Sequence, residues 1–150
     1  YLIYQYAGEN FTTKGLIEDT VCIGDQYQIG AAILEVSQPR QPCYKLAARH
    51  GDKSIARKVQ QTGKTGFYFR CIQAGSIQAG EEIKLINRPN PKFTIEQANI
   101  LMHIDKLNTK QMNSFIKLNE LSDSWKKYFT KRIQTKHIDS DSYIVDPPSS

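Results

Sequence analysis

No run of apolar residues in this 150-residue chain approaches the roughly 18 to 20 positions that a membrane-spanning helix needs, and no basic-then-apolar leader opens it. A cytoplasmic protein with no membrane partner is the expectation. No methionine precedes Tyr1, which fits a processed form or a fragment of a longer protein. Cysteine is scarce: Cys22, Cys43 and Cys71 are odd in number, widely spaced and form no Cys-x-x-Cys pair. That argues against a disulfide framework or a structural zinc site and leaves reduced thiols as the default. Acid is nearly missing from one stretch. Between Val36 and Lys64 the bases Arg40, Lys45, Arg49, Lys53, Arg57, Lys58 and Lys64 face Asp52 alone.

What is present follows from that asymmetry. The net charge of +5 belongs mainly to this stretch, since from residue 93 onward eight bases meet seven acids. A positive field there attracts an anionic small ligand or a nucleic acid; a merely solvated basic helix is the plain alternative. The length suffices for one domain with a real core, or one domain and a small appendage.

Up to about Arg88 the chain consists of short β-branched and aromatic segments punctuated by glycine, the pattern of strands and tight turns. Val21-Cys22-Ile23, Tyr27-Gln28-Ile29, Ala32-Ile33-Leu34-Glu35-Val36, residues 66–72 and residues 82–87 read as strands. Residues 52–62 read as a helix with Ile55, Ala56 and Val59 on one side, ended by Gly63. Many short strands with one intervening helix predict a compact, mostly β barrel. Arg88-Pro89-Asn90-Pro91-Lys92 breaks the pattern, and the apolar period then changes from two to about 3.6. Thr94 and Gln97 have capping-box spacing before the stripe Ile95, Ala98, Leu101 and Met102. A second helix is expected from Asn108 or Thr109 with Met112, Phe115 and Ile116, and a third from Ser122 with Trp125, Phe129 and Ile133. The expected division is a barrel over 1–90, three helices over 91–135 and a polar, mobile tail over 136–150.

The chemistry centres on Ser37-Gln38-Pro39-Arg40-Gln41-Pro42-Cys43-Tyr44-Lys45-Leu46. The two prolines fix φ near −65° and push Gln38 and Gln41 toward extended geometry, so a stiff, nonrepetitive loop is expected to present Cys43. Arg40 and Lys45 beside it would favour the thiolate, a soft ligand for a metal centre. A small buried hydrophobe at a strand end is the competing reading. Cys22 and Cys71, each within alternating strand patterns, are expected in the core. A Cys43–His50 nucleophile pair lacks a third, orienting group, and His103 and His137 have no metal-ligand spacing and suit the surface or helix packing. In residues 8–16 the glycines permit turns, while Asn10, Thr12 and Thr13 offer short polar groups for a ring or phosphate; a plain turn is the simpler reading.

Three segments carry a resemblance: Gly-Glu-Asn-Phe-Thr-Thr-Lys-Gly-Leu at 8–16, Val-Cys-Ile-Gly-Asp at 21–25, and Glu-Val-Ser-Gln-Pro-Arg-Gln-Pro-Cys-Tyr-Lys-Leu at 35–46. In this order and spacing they resemble the MOSC domain, named for the C-terminus of molybdenum cofactor sulfurases. In the YiiM-like branch a three-helix "3-alpha" unit follows, and residues 93–134 fit it. The resemblance implies a mostly β fold with α, a MOSC-type β-barrel followed by a small three-helix C-terminal domain. It implies a molybdenum cofactor (molybdopterin) bound with Cys43 as the sulfur ligand to molybdenum. Arg40 and Lys45 are the nearest cations for the cofactor's phosphate, with Asn10, Thr12 and Thr13 as a pterin cradle. The implied activity is reduction of N-hydroxylated compounds, such as hydroxylaminopurines and amidoximes, with electrons from a separate redox protein. Family members usually carry an upstream His-Gly-Gly segment that is not in these 150 residues, so either the chain is the later part of a longer protein or its cofactor binding is incomplete. A non-catalytic sulfur or cofactor carrier is the alternative. A nucleic-acid role for Lys126, Lys127, Lys131 and Arg132 is disfavoured by the balanced charge around them.

Overall fold

The computed structural model describes residues 9–52 and 54–138. Strands β1 (Gln26–Ile29) and β2 (Ala32–Pro39) are followed by helices α1 (Tyr44–His50) and α2 (Ile55–Thr62). Then come β3 (Phe67–Gln73), β4 (Ile83–Asn87), α3 (Ile95–His103), α4 (Thr109–Phe115) and α5 (Asp123–Thr135). The strands form one antiparallel sheet in the order β3-β2-β1-β4. The β1–β2 connection is two residues long, with Ile29 opposite Ala32, and opens on Gly30 at φ 55°. A Cβ there would lie 2.6 Å from the Ser76 carbonyl oxygen, which restricts the position to glycine.

Register shifts mark two bulges where β2 meets β3, and the second leaves Ser37 as the extra residue. Both of its polar groups are used: the hydroxyl donates to Tyr68 O at 3.1 Å, and the carbonyl accepts from Ser122 N at 3.1 Å. Ser122 is the N-cap of α5, so this bulge joins the sheet to the helical unit. Val21, Ile23, Tyr27, Ile29, Leu34 and Val36 pack in one continuous core with Ile95, Leu101, Met112, Phe115, Trp125 and Phe129. The helices cannot hide these stripes alone, and the sheet supplies the opposing surface.

Helix starts follow their capping chemistry. Thr94 and Gln97 form a reciprocal capping box, while the side chains of Asn108 and Ser122 accept from Gln111 N and Trp125 N. Several expectations are corrected. The nonrepetitive segment after β2 is short, residues 40–43, and it ends on Cys43 as the N-cap of α1, a helix that proline spacing concealed. Val21-Cys22-Ile23 is not a strand but a buried segment with one isolated bridge, Cys22 to Thr94; a short apolar run reads alike in either case. Cys71 is exposed rather than core. It continues the face of Phe67 and Phe69, beyond the point where the described residues cover that face. Arg132, one of the bases weighed for a nucleic-acid role, is 3% exposed and donates to the carbonyls of Leu101 and Met102 at the end of α3. Gly8 and the expected tail from 139 lie outside the described residues. Among the described residues no helix is long and apolar enough to cross a membrane.

Candidate functional site

The end of β2, the start of β3, the loop between α2 and β3, and residues 9–18 surround a cavity of about 510 Å³. Its walls have two characters. Phe11, Phe67 and Phe69 form an apolar side, edge to face with centroids 6.4 Å apart for Phe11–Phe69 and 5.5 Å for Phe67–Phe69. The lining also carries the cations Arg40 and Lys64, the hydroxyls of Thr12, Thr13 and Thr65, the Asn10 amide, and Glu9 and Glu18. Aromatic walls with a few convergent polar groups suit a flat heteroaromatic ring, and the two cations suit an anionic substituent on it.

The backbone around the cavity is tied at one residue, Gly66. Gly66 O accepts from Arg40 N at 3.0 Å and from the Thr65 hydroxyl at 2.8 Å, while Gly66 N donates to Glu18 Oε1 at 2.8 Å. Gly63 and Gly66 take positive φ, 68° and 72°, which lets Lys64-Thr65 turn out of α2 and into β3. Of the sequence candidates, Asn10, Thr12, Thr13 and Arg40 meet on this cavity. Cys43 and Lys45 are not among the lining residues. Cys43 is half-buried and its thiol makes no capping hydrogen bond; Lys45 is exposed on α1. Among the described residues no three His, Cys, Asp or Glu side chains cluster as a metal site.

A second polar centre lies under the sheet. The Arg88 guanidinium donates to both oxygens of the fully buried Asp25, at 2.8 and 2.6 Å, and Tyr27 Oη and Cys22 N donate to the same carboxylate. Burial, followed by the neighbouring Asp25 charge, raises the pKa of both the Cys22 thiol and the Tyr27 phenol. The hydrogen bond to Asp25 holds Arg88 firmly charged. This centre clamps the β1 approach to the segment leading into α3. It has no opening onto the cavity, because none of its four side chains is on the cavity lining.

The family model described as MOSC domain matches residues 2–84. The chain belongs to the MOSC family. A second family model, described as YiiM-like, 3-alpha helix domain, matches residues 94–136 and covers α3, α4 and α5. The MOSC chain is 36% identical to Protein YiiM of Escherichia coli (strain K12) over 125 residues, 83% of this chain and 55% of that protein. It is 39% identical over 89 residues to a protein named Reductase from Gibberella moniliformis (strain M3125 / FGSC 7600), 59% of this chain and 16% of that one. The crystal structure of YiiM from Geobacillus stearothermophilus superposes with a TM-score of 0.85 at 41% identity, covering 87% of this chain and 67% of that one. The fold is a MOSC fold followed by a 3-alpha unit. The chain spans little more than half the length of two of the curated relatives that it matches, Protein YiiM of Escherichia coli at 55% and a Bacillus subtilis (strain 168) protein at 57%.

Sequence reasoning passed over Lys64, Thr65 and the Phe67–Phe69 pair as parts of the cavity lining. The signal was Gly63-Lys64-Thr65-Gly66, a glycine-flanked cation and hydroxyl. It leaves a helix rather than opening one, so it lacks the helix N-terminus of a phosphate loop and reads as a strand lead-in.

Proposed function

We propose that this MOSC chain supplies the binding site of a molybdenum–molybdopterin cofactor in a reductase of N-hydroxylated small molecules. The observation that carries the reading is the meeting of Arg40 and Lys64 with Asn10, Thr12, Thr13 and a phenylalanine wall on one cavity. Phe67 and Phe69 would flank the pterin, the hydroxyls and the Asn10 amide would satisfy its ring nitrogens and oxygens, and the two cations would hold its phosphate. Cys43, three residues after Arg40 with an uncommitted thiol, would be the sulfur donor to molybdenum. When bound, the cofactor supplies the two-electron redox chemistry that no side chain of the protein can. The net reaction joins an N-hydroxylated substrate, two electrons and two protons to give the amine or amidine and water. A separate redox protein provides the electrons. The relative named Reductase supports the reaction class.

A second reading, a carrier of sulfur or cofactor, is favoured by the position of Cys43 outside the cavity lining. The two readings separate in one assay. The chain within its full-length protein, loaded with cofactor in a competent cell and given an electron donor, should reduce a hydroxylaminopurine catalytically. Cys43→Ser should lose about 100-fold or more of that rate. Serine is also a better N-cap than cysteine, so α1 should stay folded and the loss cannot be charged to unfolding. Full activity in Cys43→Ser would end the ligand assignment, and stoichiometric loading without turnover in the unmodified chain would select the carrier.

A further inference from the structure

The cavity wall at residues 63–66 is held from the helical unit. Asn99, on α3 and 3% exposed, points its amide nitrogen at this loop: Nδ2 donates to Gly63 O at 3.1 Å and to Thr65 Oγ1 at 3.0 Å. The direction of every bond is determined. Thr65 Oγ1 gives its own proton to Gly66 O, so it can only accept from Asn99, and both amide protons of Asn99 are thereby used. Asn99 Oδ1, meanwhile, is buried with no hydrogen-bond partner among the described residues. A buried orphan acceptor is destabilising, and apolar residues fill the neighbouring α3 positions Ala98, Leu101 and Met102. An asparagine retained there at that cost is explained by what its nitrogen holds. A second tie lies one helical turn on, where Gln60 Nε2 of α2 and His103 Nδ1 of α3 are 3.1 Å apart.

We propose that Asn99 is a positioning residue for the cavity, acting from the 3-alpha unit through Gly63 and Thr65 to fix the loop that carries Lys64. It does not line the cavity itself. Its effect passes through Thr65 to Gly66, whose carbonyl also anchors Arg40 N and whose amide is held by Glu18. One side-chain amide therefore ties together the backbone that carries Lys64 and the backbone that carries Arg40, and the binding wall of one unit depends on a side chain of the other. As to what fills the cavity, the inference rests on the cofactor reading above; as to what holds the loop, it stands on the hydrogen bonds alone.

The test replaces Asn99 by leucine in the full chain, a change that removes both bonds and the orphan oxygen together while keeping the number and branching of the side chain's heavy atoms. The amide protons of Thr65 and Gly66 should then exchange about tenfold faster or more, with α3, α4 and α5 unchanged. Pterin retained per chain after isolation from a cofactor-competent cell, read by fluorescence, should fall about tenfold. Leu121→Ala, which thins the helical core away from the loop, should lower the melting temperature yet leave pterin retention as it was. Unchanged exchange at Thr65 and Gly66 in Asn99→Leu overturns the proposal, as does faster exchange with undiminished pterin. If the unmodified chain carries no pterin, the functional reading fails instead, and the exchange measurement alone decides the role of Asn99.

Discussion

Helices α1 and α2 have no side-chain cap and bury only Leu46, Ala47, Ile55 and Ala56 between them, while α3, α4 and α5 are each capped by a side chain and share their core with the sheet. The contrast is sharpest at the caps. Thr94 turns its hydroxyl onto its own helix; Ser54 gives its hydroxyl and amide to Asp52, at 2.7 and 2.8 Å, and these bonds hold that carboxyl below the usual range. The weakly built pair carries Cys43 and most of the basic stretch, and its far end runs into the cavity loop. The residues to which the proposed function gives a ligand lie where the fold is least capped and least packed, and the well-packed helices lend support through Asn99 and Gln60–His103.

Four measurements can break or sharpen that contrast. Phe129→Ala empties the centre of the shared core and should cost about 3 to 5 kcal/mol in urea unfolding, with one transition lost for sheet and helices together. Were the sheet to keep its stability, the two would not form one core. Ile55→Ala should remove about 2 kcal/mol of amide protection within α1 and α2, while global unfolding moves by less than about 1 kcal/mol. A full loss in the global transition would make the pair part of the main core. Thr94→Ala should cost about 1 kcal/mol, and Ser54→Ala should stay within about 0.5 kcal/mol of the parent; equal costs would erase the capping contrast.

The smallest effect concerns the clamp beneath the sheet. Tyr27 has a raised folded pKa, so the native state holds its proton more tightly than the unfolded chain does. Its contribution is fully present below the ordinary value of 10.0 and is lost as pH climbs through the folded value. At pH 10 the half-ionised unfolded tyrosine already removes about 0.4 kcal/mol. Cys22, raised from 9.0, acts in the same direction. Stability measured from pH 8 to 10.5 should fall, and Tyr27→Phe should flatten part of that slope; an unchanged slope would show that Tyr27 is not buried against Asp25.

Residues near one another in sequence announced their own structure. The capping box at Thr94 and Gln97, the caps at Asn108 and Ser122, Gly63 after α2 and the strands β1 and β4 could be read from hydrogen-bonding chemistry and periodicity within a few positions. Arg40, Asn10, Thr12 and Thr13 were legible through composition and family likeness. Helix α1 was not, because two prolines just upstream suppress a helical reading although they lie before its first turn. Exposure of Cys71 and burial of Arg132 were equally hidden: alternation names a face, but only packing says whether anything covers it. The burial of Asp25 against Arg88, 63 residues away, and the reach of Asn99 to Gly63 and Thr65 depend on contacts between distant segments. The sequence by itself determined most of the elements, the caps of α3, α4 and α5 and the positive field around Cys43, since these act over one or two turns of chain. Which side chains share the cavity, and which helix holds its wall, was decided only when the sheet and the three helices closed on a common core.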